Sequence, residues 1–359
     1  MSYLIAAAGT GGHVFPGLSV AEALVDLGAH RDQVLFVGGD RLESEVYPAA
    51  GYPFLQLELR GLRRRLTPAN VKIPLVVLRA RRRIKATIRE RGVKVALGMG
   101  GYVTIPAGWA AASEGLVFMN AEQNAVAGLA NRVAARWASR TFGAFPVTRG
   151  LPGAEWVGNP VRREFRHFDR EELRPTAISR YGLSGERPVL GVFGGSLGAR
   201  ILNVAVSEMV AAWDGPEMEV VHLTGREAPG IDRDRPAPDG TNWVQIGFEA
   251  EMALFYAACD LVVARAGGAV AELTATATPA VLVPGRFGSG GHQTANAEAL
   301  TEAGAAATVP EESIDELPAV VGSLIGSGGA LARMRAAAAA IARPSAAVDI
   351  AAAMMEAAA

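Results

Sequence analysis

The chain carries one cysteine, Cys259, in 359 residues. No disulfide can form within it, and such a sequence suits a reducing compartment. Net charge is equally scarce: 35 Lys and Arg stand against 36 Asp and Glu, a balance of -1. That balance argues against nucleic acid as a general partner. Aromatic residues make up only 6%. An uninterrupted apolar run long enough to span a bilayer is missing too. The uncharged segment 1–21 has no basic leader and is broken by Gly9, Gly11 and Gly12, and "VALGMGGYVTIPAGWAAAS" holds four glycines and a proline. The expectation is a soluble or peripheral protein, cytoplasmic by default. No His/Cys cluster has ligand spacing, so neither a metal nor a cofactor is expected.

What is present is ordinary globular composition, half apolar and one-fifth charged. The length calls for two domains. Short apolar runs alternate with helical stretches: "YLIAAA" before Pro16–Leu27, "QVLFVGG" before "RLESEVYPAA", "KVALGMGG" before "IPAGWAAA". The pattern restarts at "RPVLGVFGGSLGARILN" and continues through "MEVVHLTG", "WVQIGF", "CDLVVARAGG" and "TPAVLVPG". This predicts an α/β protein with two Rossmann-like domains, each built on a parallel sheet covered by helices. The charged, proline-bracketed stretch 158–175 marks the boundary, giving domains 1–160 and 161–341. The Ala-rich end reads as helix interrupted at Pro344, with 342–359 packing back on the first domain.

Four motifs carry candidate chemistry. "GTGGHVFPG" follows a strand and opens a helix, so its N–H groups can face an anion, with the His13 imidazole at its tip. "GGSLGA", residues 194–199, repeats that arrangement in the second half and adds the Ser196 hydroxyl. "ARAGGAVAELTA" places Glu272 just inside a helix, where a carboxylate can accept two hydrogen bonds from a ribose diol. "GSGGHQTANAEAL" puts Gln293 and Asn296 three apart on one helix face, as amides that can read sugar hydroxyls. Two anion loops in two domains suit a diphosphate donor and a phosphorylated acceptor on opposite sides of a cleft. A dinucleotide oxidoreductase using the first loop and Asp40 remains open at this point.

The strings "GTGGHVFP", "GMGGYVTIPAGWAA", "AEQNAVAGLANR", "GNPVR", "GGSLGARILN", "ARAGGAVAEL" and "HQTANA" come in the order of a known family. They resemble the MurG family, N-acetylglucosaminyltransferases that make lipid II from lipid I in peptidoglycan synthesis. The resemblance implies a GT-B fold and inverting transfer of GlcNAc from UDP-GlcNAc to the MurNAc 4-hydroxyl of lipid I, giving a β-1,4 link with no essential metal. It implies His13 as catalytic base. Around the donor it places Thr10, Gly11, Gly12, Asn124, Arg162, Ser196, Gly268, Ala269, Val270, Glu272, Gln293 and Asn296, with uracil against the backbone near Phe248 and Glu249. For the acceptor diphosphate it suggests Gly9 to Gly12 with Gly100, Gly101 and Tyr102. Two positions depart from the family pattern, Ala121 in place of a histidine and Gly291 in place of an acid. A different lipid acceptor, or a UDP-GlcNAc epimerase of the same fold, is the alternative.

Charge is unevenly spread. Between Arg60 and Arg91 stand twelve Lys/Arg and one Glu, about +11 locally. Arg63, Arg64, Arg65, Arg79, Arg81, Arg82 and Arg83 flank Ile73, Leu75 and Val76, a pattern suited to an anionic bilayer, though a solvated helix face accounts for it as well. A lipid-linked acceptor favours the membrane reading, at the cytoplasmic face of the plasma (inner) membrane, where cell-wall synthesis proteins are further candidate partners.

Overall fold

A computed structural model describes residues 2–58, 73–231, 241–285 and 291–359. The chain divides into two compact units, residues 1–163 with 343–359, and residues 164–342. The division falls at Arg163, three residues beyond the expected boundary, and it places Arg162 in the first unit.

In the first unit, β1 (Ser2–Ala6), β2 (Val34–Gly38), β3 (Phe54–Gln56), β4 (Val93–Gly98), β5 (Val117–Glu122), β6 (Arg140–Gly143) and β7 (Glu155–Trp156) form one sheet. Its order is β3-β2-β1-β4-β5-β6-β7 and its pairings are parallel. Successive strand residues face opposite sides, so each strand feeds two cores. Ile5, Phe36, Leu97 and Phe142 pack with α1 (Gly11–Asp26) and the terminal helix, while Leu4, Leu35, Ala96 and Phe118 pack on the other side with α3 (Ile73–Arg91) and α4 (Thr104–Ser113). Between these helices α2 (Leu42–Ala49) follows β2, and α5 (Leu129–Ala134) follows β5.

The second unit comprises α6 (Arg170–Tyr181), β8 (Val189–Phe193), α7 (Arg200–Ala211), β9 (Glu219–Leu223), β10 (Trp243–Ile246), α8 (Met252–Ala258), β11 (Leu261–Ala264), α9 (Ala269–Ala275), β12 (Ala280–Leu282), α10 (His292–Glu302), β13 (Ala306–Thr308), α11 (Leu317–Gly326) and α12 (Ala330–Ile341). Its parallel sheet runs β10-β9-β8-β11-β12-β13. Leu190, Val192, Val220 and Val263 meet Leu202, Val206 and Met209 of α7 in the core. Asp260 fastens α6 to this sheet, accepting from Arg170 at 2.6 Å, Arg174 at 3.0 Å and the Val189 N–H at 3.0 Å.

The last helix, α13 (Ala346–Ala358), returns to the first unit and buries Ala347, Ile350, Ala351 and Met354 against α1 and β4. The stretch 330–358 is long and apolar enough to cross a membrane by length and composition. Its chain is interrupted after Ile341, where Ala342 is extended, and its second half serves the core.

Both sheets reverse strand order once, between β1 and β4 in the first unit and between β8 and β11 in the second. In open parallel sheets, ligands bind beyond the carboxyl ends of the strands at such points. The sequence motifs flagged by their glycines lie there: residues 9–13 and 99–102 in one unit, 194–199 and 265–268 in the other.

Candidate active site

In the first unit, β1 ends at a turn through Gly9, whose φ is +105°. Thr10 is extended and α1 starts at Gly11. The Gly11 and Gly12 N–H groups occupy the first turn, where a helix offers no internal acceptor. His13 is half-buried, with Nδ1 3.3 Å from Thr10 Oγ1. Its ring lies against Gly100, where an added Cβ would meet Nε2 at 2.9 Å. A side chain at position 100 would displace the imidazole, and φ of +92° there also favours glycine.

The loops after β1 and β4 are held by an acid that the sequence reading did not single out. Glu43, fully buried on α2, accepts from the Gly9 N–H at 3.1 Å, the Gly39 N–H at 3.0 Å and the Tyr102 hydroxyl at 3.1 Å. Burial, followed by the neighbouring Glu43 charge, pushes the Tyr102 phenol well above its ordinary value. Gly9 and Tyr102 were expected to offer donors to an acceptor diphosphate. Here both donors turn inward to Glu43, which corrects that part of the expectation; Gly11, Gly12, Gly100 and Gly101 are unaffected by it.

After β5, Glu122 plays a similar part. It is buried and accepts from the Asn124 N–H at 3.0 Å, Asn124 Nδ2 at 2.9 Å, the Gly128 N–H at 2.9 Å and Asn131 Nδ2 at 2.8 Å. Asn124 is thereby fixed, half-buried, at the rim of the sheet. Arg162 is half-buried in the segment that ends this unit.

In the second unit, the loop after β8 is fastened by backbone. Gly198 N–H donates to Gly195 O and Arg226 N–H to Ser196 O, each at 3.0 Å, and Ser196 itself is exposed. Gly198 and Gly225 approach so closely that a Cβ on Gly225 would overlap the Gly198 backbone, and one on Gly198 would overlap Thr224 O. From α7, Asn203 donates to Thr224 O at 2.9 Å and Pro229 O at 3.0 Å, and its Oδ1 meets His222 Nε2 at 3.1 Å. Because the Asn203 amide NH2 is spent on two carbonyls, His222 must carry its proton on Nε2. Burial lowers the pKa of His222 to about 4.

Phe248 is exposed and the Arg226 guanidinium lies 3.9 Å over its ring. The Glu249 side chain is buried, accepting from Arg180, Tyr181 and the Glu251 N–H. Burial raises its carboxyl pKa, but those hydrogen bonds and Arg180 win and hold it below the usual range. Glu272 is half-buried in the first turn of α9 and accepts from the Tyr256 hydroxyl at 2.9 Å. Gly268 caps that helix, Ala269 is half-buried and the Val270 side chain is buried, leaving backbone as its means of contact.

The amide pair on α10 divides. Gln293 is half-buried, with Oε1 taken by the Gly285 N–H at 2.8 Å. Asn296 is fully buried and donates to Ala266 O at 3.0 Å. The expectation that both amides face a sugar therefore changes: Asn296 braces the turn after β11 from beneath, and Gln293 alone of the pair lies partly in solvent.

Comparison with known proteins places these elements. Residues 3–143 match the glycosyltransferase family 28 N-terminal domain and residues 189–350 its C-terminal domain. The chain belongs to glycosyltransferase family 28. A relative from Halorhodospira halophila, 41% identical over 349 residues, 95% of this chain and 94% of its own, is named UDP-N-acetylglucosamine--N-acetylmuramyl-(pentapeptide) pyrophosphoryl-undecaprenol N-acetylglucosamine transferase. A Clavibacter sepedonicus protein of that name is 39% identical over 94% of this chain and 92% of its own. The crystal structure of Acinetobacter baumannii MurG matches with a TM-score of 0.80 at 27% identity, over 99% of this chain and 100% of that one. The fold is GT-B, and family 28 membership removes the oxidoreductase reading that Asp40 had kept open.

The two departures from the family pattern have different physical settings. Ala121 is buried within β5, packed in the sheet core. Gly291 precedes α10 with φ of +72°, a conformation glycine adopts without strain.

The basic patch is described in part. Arg63, Arg64 and Arg65 lie outside the described residues. On α3, Ala80, Ile84 and Ile88 face the core, while Arg79, Arg82 and Arg83 are exposed. Leu75 is 48% exposed, but Val76 packs against the core, and Arg81 is half-buried with its guanidinium 4.4 Å over the Trp109 ring. Those two side chains serve the fold as well as any surface role. Ile73 opens the helix.

Proposed function

We propose that this family 28 enzyme is an inverting transferase that moves GlcNAc from UDP-GlcNAc to the 4-hydroxyl of the MurNAc residue of undecaprenyl-diphosphate-linked lipid I, forming lipid II with a β-1,4 link. The observation that carries this reading is the agreement of curated relatives near 40% identity, over 87% to 95% of this chain, on one transferase name. The geometry supports a division of labour within it.

His13 is the base. An imidazole titrates near neutral pH and can take the proton from a sugar hydroxyl as it attacks the anomeric carbon. Its Nδ1 lies 3.3 Å from Thr10 Oγ1, and its Nε2 lies on the side of Gly100. In the second unit the exposed turn at Ser196 presents backbone donors for the departing diphosphate. Glu272 takes the ribose diol, Phe248 and the Glu249 backbone take the uracil, and Gln293 takes the GlcNAc. The leaving group is served by backbone dipoles, so the scheme calls for no metal. The enzyme is peripheral, at the cytoplasmic face of the plasma membrane, with the exposed arginines of α3 toward anionic lipid.

The test supplies purified protein with labelled UDP-GlcNAc and a lipid I analogue. A labelled disaccharide lipid is expected, and its absence with a substrate that a known lipid II-forming enzyme accepts overturns the proposal. For the membrane, replacing Arg79, Arg82 and Arg83 is expected to reduce binding to anionic vesicles; unchanged binding assigns the patch elsewhere.

A further inference from the structure

Glu43 lies in a slot that the sequence builds for it. A Cβ on Gly38 would meet the Glu43 Cγ at 2.7 Å, and one on Gly39 would overlap the Tyr102 hydroxyl. Two consecutive glycines at the end of β2 thus open the space into which an acid from α2 and a phenol from the β4 loop converge. Glu43 is the second residue of α2, where the helix dipole favours negative charge. An acid serving α2 alone would need no bond beyond residue 39. Its other two partners are 34 and 59 residues away in sequence, on the loops after β1 and β4.

Those two loops are the ones that define the surroundings of His13. Gly9 begins the turn that carries Thr10 and His13, and Tyr102 ends the turn whose Gly100 backs the imidazole ring. Gly101 also rests on Ala8, so a shift of either loop is passed to the other. We propose that Glu43 is a positioning residue for the transfer step: its buried carboxylate locks the β1 and β4 loops together so that His13 is held against Gly100 in one orientation. The proposal rests on the reading of His13 as base. Glu43 itself touches no reacting atom and acts through the two loops.

The chemistry of the side chain sets the expected order of variants. A carboxylate accepts all three hydrogen bonds. In Glu43→Gln one oxygen remains, and the new NH2 confronts an N–H donor at Gly9 or Gly39. Glu43→Ala removes every acceptor, and Tyr102→Phe removes one donor from the β4 side alone.

The experiment measures steady-state transfer with UDP-GlcNAc and a lipid I analogue, UDP binding, and amide exchange in the intact protein. Glu43→Gln is expected to lower kcat about tenfold or more and raise the acceptor KM, with the UDP-GlcNAc KM and the UDP Kd within about twofold of wild type. Glu43→Ala is expected to lose more and Tyr102→Phe less. Exchange in segments 9–13 and 99–102 rises about tenfold or more in Glu43→Gln, while segment 194–199 is unchanged. If kcat and both KM values stay within twofold in Glu43→Gln, or exchange in the two segments does not move, the proposal is overturned. An equal loss of UDP binding overturns it too, because that marks general destabilisation. Should wild-type protein make no disaccharide lipid, the exchange measurement still decides whether Glu43 locks the loops, since it does not depend on the acceptor.

Discussion

The loop after β1 and the loop after β8 hold equivalent places in their sheets, yet they are fastened by opposite means. Residues 9–13 are tied through a buried carboxylate that consumes one backbone N–H of the turn itself. Residues 194–199 are tied by backbone carbonyls and by the Gly198–Gly225 approach, while a neutral amide, Asn203, fastens the neighbouring loop after β9 through Thr224 O. Glycines read alike in the sequence, but a turn that shares its donors with an internal acid has fewer left for a ligand. The second loop spends the Gly198 N–H within its own turn, and in the proposed scheme its other N–H groups meet the strongly charged diphosphate. The first gives up the Gly9 N–H to Glu43, and in the same proposed scheme its imidazole takes the proton of a neutral hydroxyl.

This contrast predicts separable defects. His13→Ala is expected to lower kcat by roughly 10²–10⁴-fold, the usual contribution of a general base, with UDP affinity within about twofold. Steady-state kinetics beside calorimetric UDP titration check it. Loss of UDP affinity to match would break the division between the loops.

Acid should act on the second unit through His222. Its folded pKa of about 4 lies below the ordinary value of 6.5, so the unfolded chain binds the extra proton first. Stability is present above pH 6.5 and is lost as pH falls toward 4, by up to about 3 kcal/mol. Exchange in β8, β9 and α7 between pH 7 and 4 reads the slope, and His222→Gln is expected to flatten it. A slope that the substitution leaves intact would assign the acid sensitivity to other groups.

Gly198→Ala attacks the fastening of the second loop directly. Its φ is +86° and the new Cβ would overlap Thr224 O, so the loop must shift. UDP affinity is expected to fall about tenfold or more, near 1.4 kcal/mol, while exchange in residues 9–13 stays as in wild type.

How much of this was legible depends on what each residue touches. The alternation of apolar runs exposed β1, β2, β4 and the main strands of the second unit, because both faces of a parallel strand are buried and read as continuous apolar stretches. β5 escaped notice since Asn120 and Glu122 interrupt it, both buried and bonded to Asn131. β3, β6, β7 and β13 are too short, at two to four residues, to carry a period. The glycine motifs pointed to the loops at the strand-order reversals, as glycine records a backbone requirement in the residue itself. Glu43 and Asn203 record theirs only through partners far along the chain, and Asn296 looked like a ligand because burial leaves no mark on a single helix face. Arg162 fell to the first unit for a similar reason: the charged linker showed where the chain crosses, to within three residues, and no closer.

The smallest predicted effect is the sharpest test of the contrast. Ser196 is exposed, and its backbone oxygen accepts the Arg226 N–H, so the turn does not depend on the Ser196 hydroxyl. Ser196→Ala then removes at most one hydrogen bond to the donor and leaves the backbone donors in place. The expected cost is about 0.5–1.5 kcal/mol, seen as a rise of roughly twofold to tenfold in the UDP-GlcNAc KM with kcat little changed. A much larger loss would mean that the side chain, and not the backbone, carries the diphosphate. The second loop would then resemble the first as proposed, with a side chain doing the chemistry and the glycines making room for it.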